Sequence, residues 1–533
     1  MMDAQDATDV RSRAEAWLAA EPDSDVREEL AALLAGSETD LAARFDGRLQ
    51  FGTAGLRGAM GAGPLRMNRL VVRQAAAGLA EYVLAQYPGA AERGIVIGYD
   101  ARRKSDDFAS DTARVFAAMG VRARLLPAPL PTPVLAWNIT ALGAVAGVVV
   151  TASHNPPADN GYKVFLGDGA QIVPPHDAGI AAAIDQFDPT TVELADADHP
   201  LIEVLDGAPL EAYLAAAPAA RLRPDLAGVP AVYTAMHGVG GATLIDAFVR
   251  AGLPEPFVVA EQQQPDGSFP TVSFPNPEEP GAMDLLLARA AEVGAHLALA
   301  NDPDADRMAA AIPTPAGGWR RLTGDEIGWL LADHVLRHTI GDDRLVITTL
   351  VSSSLLGRMA ASYGVHFLET YTGFKWIGRT AMDHPELRFV FGYEQALGYL
   401  VCGQPMDKDG ITAAIVMAEV AALAAAEGVT MQQRLDDIAA RFGRHVVADL
   451  SIRLDPVDAA AKVEAMRANP PTDVAGQAVT NVEWFAEAGL LRLTLGDVRL
   501  QIRPSGTEPK VKLYAEAIDL DPTPLLQALA ALL

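Results

Sequence analysis

The 533-residue chain contains one cysteine, Cys402. No intrachain disulfide can form, so the fold does not depend on an oxidising compartment. A lone thiol of this kind reads as a small apolar residue in or near a core rather than as a nucleophile. Positive charge is scarce, with 42 basic against 68 acidic side chains and a formal net charge of −26. Nucleic acid and anionic membrane surfaces select exposed positive charge, so neither is an expected partner. Apolar runs such as "ALGAVAGVVVTA" fall short of the roughly 18 residues that a membrane span needs. The opening "MMDAQDATDVRSRAEAW" has neither the basic start nor the apolar stretch of a secretory leader, and a cytoplasmic location is expected. No "GxxxxGK[ST]" or "GxGxxG" is present, which argues against a nucleotide as phosphate carrier. The lack of "GxSxG" and "HExxH" sets aside the common hydrolase templates.

What is there is apolar: half the residues are hydrophobic and 21% are charged, enough to bury substantial cores. At roughly 150 residues per domain the length implies three or four domains. Residues 1–45 read as two short amphipathic helices, the second opening at "DVREELAALL" with Asp25 as N-cap and Glu28 completing a capping box. Beyond them, short β-rich runs repeatedly end in polar loops: "GIVIGYD", "AGVVV", "AVYTAM", "HLALA", "RLVITTL" and "LRFVF". Helical sequence lies between these units, which implies largely parallel sheets covered on both faces. In such sheets ligands bind beyond the carboxyl ends of the strands. The tail from about residue 446 alternates strand-like "LLRLTLGDVRLQIRP" with helical "AAAKVEAMRA" and "PLLQALAALL", a smaller α+β unit.

Five loops carry residues suited to chemistry. "NDPDADR" sets Asp302, Asp304 and Asp306 at alternate positions, so an extended loop would turn the three carboxylates to one side. Clustered carboxylates repel unless a cation lies among them, and hard oxygen ligands on a short loop suit Mg²⁺. An EF-hand is excluded, because position 6 from Asp302 is Arg307 and position 12 is Pro313. "RPSGTEPKVKLY" offers Arg503, the hydroxyls of Ser505 and Thr507, and a turn at Gly506 that can aim backbone N–H groups at a phosphate. "TASHNPPADNGYKVF" places Ser153 beside His154 and Lys163, a set suited to phosphoryl transfer by positioning and charge neutralisation. "GYEQALGYLVCGQPMDKDG" supplies Glu394, able to accept bonds from sugar hydroxyls, and Lys408, readable as a proton carrier or a solvated charge. "FGTAGLRG" sets Arg57 among glycines. Each loop alone also reads as an ordinary turn.

Together and in this order, "TASHNP", "DPDADR" and "RPSGTEP" resemble the α-D-phosphohexomutase superfamily, the phosphoglucomutases and phosphomannomutases, from about residue 45 onward. The resemblance implies three similar mixed-sheet α/β domains and a smaller C-terminal α+β domain around a central cleft. Expected boundaries are 1–45 for a helical extension, 46–204, 205–313, 314–443 and 444–533. By this likeness Ser153 carries the phosphoryl group and binds Mg²⁺ together with Asp302, Asp304 and Asp306. Arg57, His154, Lys163, Arg307 and Lys408 surround the reacting phosphate, and Glu394 touches the sugar. "TGFKW", with Gly373, Phe374 and Lys375, resembles the sugar-selecting loop, and the Arg503 to Thr507 loop anchors the other phosphate. The implied reaction interconverts sugar 1- and 6-phosphates, glucose first, through a phosphoserine and a bisphosphate, with glucose 1,6-bisphosphate as activator. Small sugar phosphates are the expected partners, and the expected state is a monomer or weak dimer. Gln395 and Ala396 replace a Glu and a Ser common in the family, leaving a different hexose or a pentose open. The prefix with "FGTAGLRGAMGAG" resembles the branch holding phosphopentomutase-like and bisphosphate-forming relatives. A bisphosphate synthase, a Mg²⁺-dependent phosphatase and a non-catalytic sugar-phosphate-binding regulator are the competing readings.

Overall fold

The computed structural model describes residues 4–505 and 510–533, with side chains described from residue 9. The chain divides into two compact units. One comprises residues 1–322 and 398–423, and the other comprises 323–397 and 424–533.

The first unit opens with three helices, Ala4–Ala20, Ser24–Ala35 and Glu38–Phe45, rather than two. The second begins two residues earlier than expected, with Asp23 rather than Asp25 at the N-cap and no side-chain capping bond. Asp25 is not a cap, because its carboxylate pairs with Lys104 at 2.5 Å. Trp17, Leu30, Leu41 and Phe45 carry these helices into the core that also holds the first sheet.

That sheet has six strands in the order Leu56–Ala59, Asp159–Leu166, Ala146–Val150, Ile95–Tyr99, Ala123–Leu125 and Ile202–Val204. The last four run parallel, and the first two are antiparallel additions at one edge. Ala146–Val150 is buried throughout, as its unbroken apolar sequence requires of a strand covered on both faces. The second sheet repeats the plan with five strands. Leu297–Asn301, Ala231–Thr234 and Phe257–Val258 run parallel, and Met308–Pro313 and Trp319–Arg321 complete an antiparallel edge.

This plan positions the chemistry. In each sheet a parallel strand ends in a tight loop and returns antiparallel, Ala146–Val150 into Asp159–Leu166 and Leu297–Asn301 into Met308–Pro313. The two loops so formed are those bearing Ser153 and the three aspartates.

In the second unit Arg344–Thr349 is flanked by His366–Thr370 and Arg388–Glu394, all parallel.

 Arg344–Thr349 is the central strand of the three, and its six residues are all buried. A separate antiparallel sheet follows in the order His445–Arg453, Lys510–Ile518, Val498–Pro504, Leu490–Leu495 and Asn481–Phe485. Alternating residues of its hairpin, Leu491, Leu493, Leu500 and Ile502, form a core with helices Pro456–Ala468 and Thr523–Ala530. Among the described residues no single helix is long and apolar enough to cross a membrane.

Candidate functional site

Ser153 and the three aspartates meet in the first unit. Asp302, Asp304 and Asp306 are fully buried, and Ser153 is 2% exposed. The Ser153 hydroxyl donates to Asp302 Oδ2 at 2.6 Å, and His154 Nδ1 lies 3.3 Å from Ser153 Oγ. One carboxylate oxygen from each aspartate lies within 4.8 Å of the others, a group that can hold a metal ion. The loop is not the extended segment expected from alternation. It coils through a left-handed Ala305, φ +57°, and closes with Ala305 N–H donating to Asp302 O at 2.9 Å. Convergence therefore comes from a turn, not from strand alternation.

Cations surround this cluster. Lys163 lies opposite Val149 on the returning strand, and its ammonium reaches Asp304 Oδ2 at 2.6 Å and Asp306 Oδ2 at 2.8 Å. Lys408 is 7% exposed and pairs with Asp306 at 3.0 Å, so its reading as a solvated surface charge is overturned. The loop bearing it presses on the aspartate loop: a Cβ on Gly410 would meet Arg307 O at 2.3 Å. Gln171 donates to Asp407 at 2.6 Å, and Asp407 accepts the Lys408 N–H at 2.9 Å, which fixes that loop from the first sheet. Arg307 N–H donates to Asp302 Oδ1 at 3.1 Å, and Arg57 donates to Asn155 Oδ1 at 3.1 Å.

These neighbours divide the carboxylates. Burial and the charges of Asp306 and Asp304 push Asp302 well above the ordinary carboxylate range. Burial opposes ionisation of Asp306 too, yet Lys163, Lys408 and Arg307 outweigh it and hold Asp306 well below that range. His154 is pushed well below its ordinary value by burial and then by Arg307 and Arg57, so its ring is neutral near pH 7. One oxygen each of Asp304 and Asp306 is buried without a hydrogen-bond partner. Orphaned, buried, anionic oxygens are costly unless a cation takes them, and these hard donors fit a divalent ion such as Mg²⁺.

The other expected residues belong to the second unit. Glu394 ends the strand Arg388–Glu394 and is 7% exposed. Gln395 N–H donates to Ser352 Oγ at 3.1 Å, and its side-chain oxygen accepts from the same hydroxyl at 3.1 Å. Gly373 adopts φ +110° just before the helix Phe374–Asp383. Phe374 is buried, 3% exposed. Lys375, one residue on, is half-buried. Arg503 donates to the Tyr514 hydroxyl at 3.3 Å, and Ser505 N–H donates to Lys510 O at 2.9 Å, closing the neck of its loop. Gly506 and Thr507 lie outside the described residues.

Sequence reasoning missed several groups that shape the site. Thr132 donates its hydroxyl to Asp304 Oδ2 at 2.6 Å and its N–H to Asp304 O at 3.0 Å. Its partner is 172 residues away in sequence, so nothing local marked it. Arg102 and Asp100 stand behind the Ser153 loop. Their signal was the polar segment "DARRKSDD" after a buried strand, which announced a loop but no role.

The chain matches four domain descriptions in succession. These are "Phosphoglucomutase/phosphomannomutase, alpha/beta/alpha domain I" over residues 48–190, domain II over 212–317, domain III over 323–442 and the C-terminal domain over 447–523. The chain therefore belongs to the phosphoglucomutase/phosphomannomutase family, and it is an enzyme, an isomerase of the phosphotransferase type. It is 44% identical to a "Probable phosphomannomutase" of Haemophilus influenzae over 86% of this chain and 94% of that protein. It is 34% identical to a human phosphopentomutase, covering 94% and 90%, and 36% identical to a human glucose 1,6-bisphosphate synthase, covering 81% and 73%. Among solved structures, a phosphoglucomutase/phosphomannomutase family protein from Burkholderia thailandensis superposes with a TM-score of 0.70 at 21% identity, covering 90% of this chain and 97% of that one.

Proposed function

We propose that the chain interconverts a sugar 1-phosphate and the corresponding 6-phosphate, with glucose 1-phosphate as substrate, through a phosphorylated Ser153 and a bound bisphosphate. The carrying observation is the Ser153 hydroxyl, 2.6 Å from a buried aspartate in a cluster that can hold a metal ion. Phospho-Ser153 gives its phosphoryl group to the free sugar hydroxyl. The P–O bond to Ser153 breaks as one to the sugar oxygen forms, and the hydroxyl proton passes to the serine oxygen or a neighbouring acceptor. The second half reverses these events with the sugar's other phosphate, so no phosphate is lost.

Each role follows from position. Asp302, Asp304 and Asp306, together with the serine phosphate, would hold Mg²⁺, which when bound offsets the negative charge that moves between oxygens. Lys163 and Lys408 bring positive charge to the same carboxylates, and Arg57 and Arg307 supply donors suited to phosphate. His154, neutral beside Ser153 Oγ, can take up a proton there. Glu394, Gly373, Phe374 and Lys375 are assigned to the sugar. Arg503, Ser505, Gly506 and Thr507 are assigned to the phosphate that is not reacting. Glucose 1,6-bisphosphate is the proposed activator, because it can load phosphoryl onto an unmodified serine.

A second reading, a pentose substrate, is favoured by Ala396, which offers no hydroxyl contact, and by the likeness to the human phosphopentomutase over 94% of this chain. Incubation with glucose 1,6-bisphosphate and Mg²⁺, followed by intact mass measurement, tests the shared chemistry. One added phosphoryl group, absent in Ser153→Ala, is expected; equal labelling of that variant would refute the assignment.

A further inference from the structure

The turn that carries Ser153 is held from behind by a group outside the reacting cluster. Arg102 is 3% exposed. Its Nη2 donates to Ser153 O and Asn155 O at 2.6 Å each, and its Nη1 donates to Pro156 O at 2.8 Å and Asp159 O at 3.1 Å. Asp100 seats this arginine, accepting the Arg102 backbone N–H at 2.9 Å and lying 3.3 Å from Nε. The same carboxylate accepts from the Thr151 hydroxyl at 2.7 Å, and Thr151 Oγ1 accepts the Ser153 N–H at 2.8 Å. Both backbone polar groups of Ser153 are thus tied to one buried Asp100–Arg102 pair.

What they hold is a costly conformation. Ser153 has φ +51°, a left-handed state that is unfavourable for a residue with a Cβ. Such strain persists only where the surroundings over-determine it. The guanidinium is also covered from the second sheet's side. The Phe269 ring centre lies 5.0 Å from the Arg102 guanidinium carbon, and a Cβ on Gly267 would meet Ala101 O at 2.4 Å.

Resting on the reading of Ser153 as the phosphoryl carrier, we infer that Arg102 is a positioning residue for phosphoryl transfer. It fixes the left-handed turn that aims Ser153 Oγ at Asp302, and Phe269 seals it in place. Lysine cannot substitute, because three donors on one nitrogen cannot span four carbonyls as a planar fork does.

The test compares wild type, Arg102→Lys and Phe269→Ala. Each is incubated with glucose 1,6-bisphosphate and Mg²⁺, with serine phosphorylation followed by mass against time and mutase kinetics measured in parallel. A misplacement of about 1 Å costs on the order of 100-fold, so Arg102→Lys should load and turn over about 100-fold more slowly, with KM within about threefold of wild type. Phe269→Ala keeps the arginine and its bonds; an intermediate loss of kcat, about tenfold, is expected even if Arg102→Lys fails to fold. Wild-type loading rates in Arg102→Lys, or a loss confined to KM, overturn the inference alone. A wild-type chain that never becomes phosphorylated overturns the Ser153 reading and the inference with it.

Discussion

Five ionisable side chains meet at one point, and their pairing decides what each can do. Asp306 is ionised because two lysines face it, while Asp302 is held near neutrality by burial and its two acidic neighbours. A divalent ion would reverse the balance at Asp302 by replacing repulsion with attraction. Asp304→Asn should therefore weaken Mg²⁺ binding about tenfold or more, read by titrating activity against free Mg²⁺. An unchanged Mg²⁺ requirement would remove Asp304 from the metal set. Lys408→Met should lower kcat by about 100-fold, within the range for a positioned proton-transfer or charge-stabilising group. The identity of these residues was readable from sequence, because Asp-x-Asp-x-Asp and Ser-His-Asn are unusual polar clusters after buried strands. Their environment was not: the pairing of Lys408 with Asp306 joins residues about 100 positions apart, and no local pattern reports it. The left-handed Ala305 was equally hidden, since alanine does not advertise a positive φ as glycine does.

The strands were legible because parallel strands buried on both faces read as unbroken apolar runs, and "AGVVV" and "RLVITT" became fully buried strands. The antiparallel returns were less so, because nothing in "NGYKVFL" states which edge it joins. The N-terminal helices illustrate the opposite error. Asp25 satisfies the capping-box spacing, but it is drawn off to Lys104, which also pairs with Asp23 at 2.7 Å. Those ion pairs tie the helical extension to the segment just after Arg102. Between the first two helices sits Glu21, 2% exposed, with one carboxylate oxygen lacking a partner. Burial pushes its pKa from 4.5 up to about 7. The unfolded chain thus loses this proton first, and the folded state carries a penalty that grows from about pH 4.5 and is complete above about 7. Glu21→Gln should accordingly raise thermal stability at pH 8 and leave it unchanged near pH 4, as measured by calorimetry. Stabilisation of equal size at both pH values would contradict the buried-charge account.

At the scale of the whole chain, one buried carboxylate of the second unit bridges its parallel sheet and its antiparallel sheet. Glu516 accepts from the Ser353 hydroxyl, the Ser354 N–H and His445, and pairs with Arg499 at 2.8 Å. Burial opposes its ionisation, yet Arg499, His445 and Ser353 together hold its pKa down to about 2. Its stabilisation is therefore complete above about 4.5 and is lost as pH falls through about 2. Glu516→Gln should lower the urea midpoint of the second unit at pH 6 and make it less sensitive to acidification between pH 4.5 and 2; an unchanged pH response would refute that linkage. None of this network was visible in the sequence, where Glu516 is one acidic residue in "KLYAEAIDL".

The order of the loops carried the family, but the identity of the sugar turns on a few groups around Glu394 and Ala396. The most direct measurement follows an equal mixture of glucose, mannose and ribose 1-phosphates by ³¹P NMR with Mg²⁺ and a trace of glucose 1,6-bisphosphate. Conversion to sugar 5- or 6-phosphate is expected, led by glucose 6-phosphate, with total organic phosphate conserved and no turnover by Ser153→Ala. Preferential formation of ribose 5-phosphate would keep the chemistry and replace the substrate. Release of inorganic phosphate in place of isomerisation, or full activity in Ser153→Ala, would rule out phosphoryl transfer through Ser153.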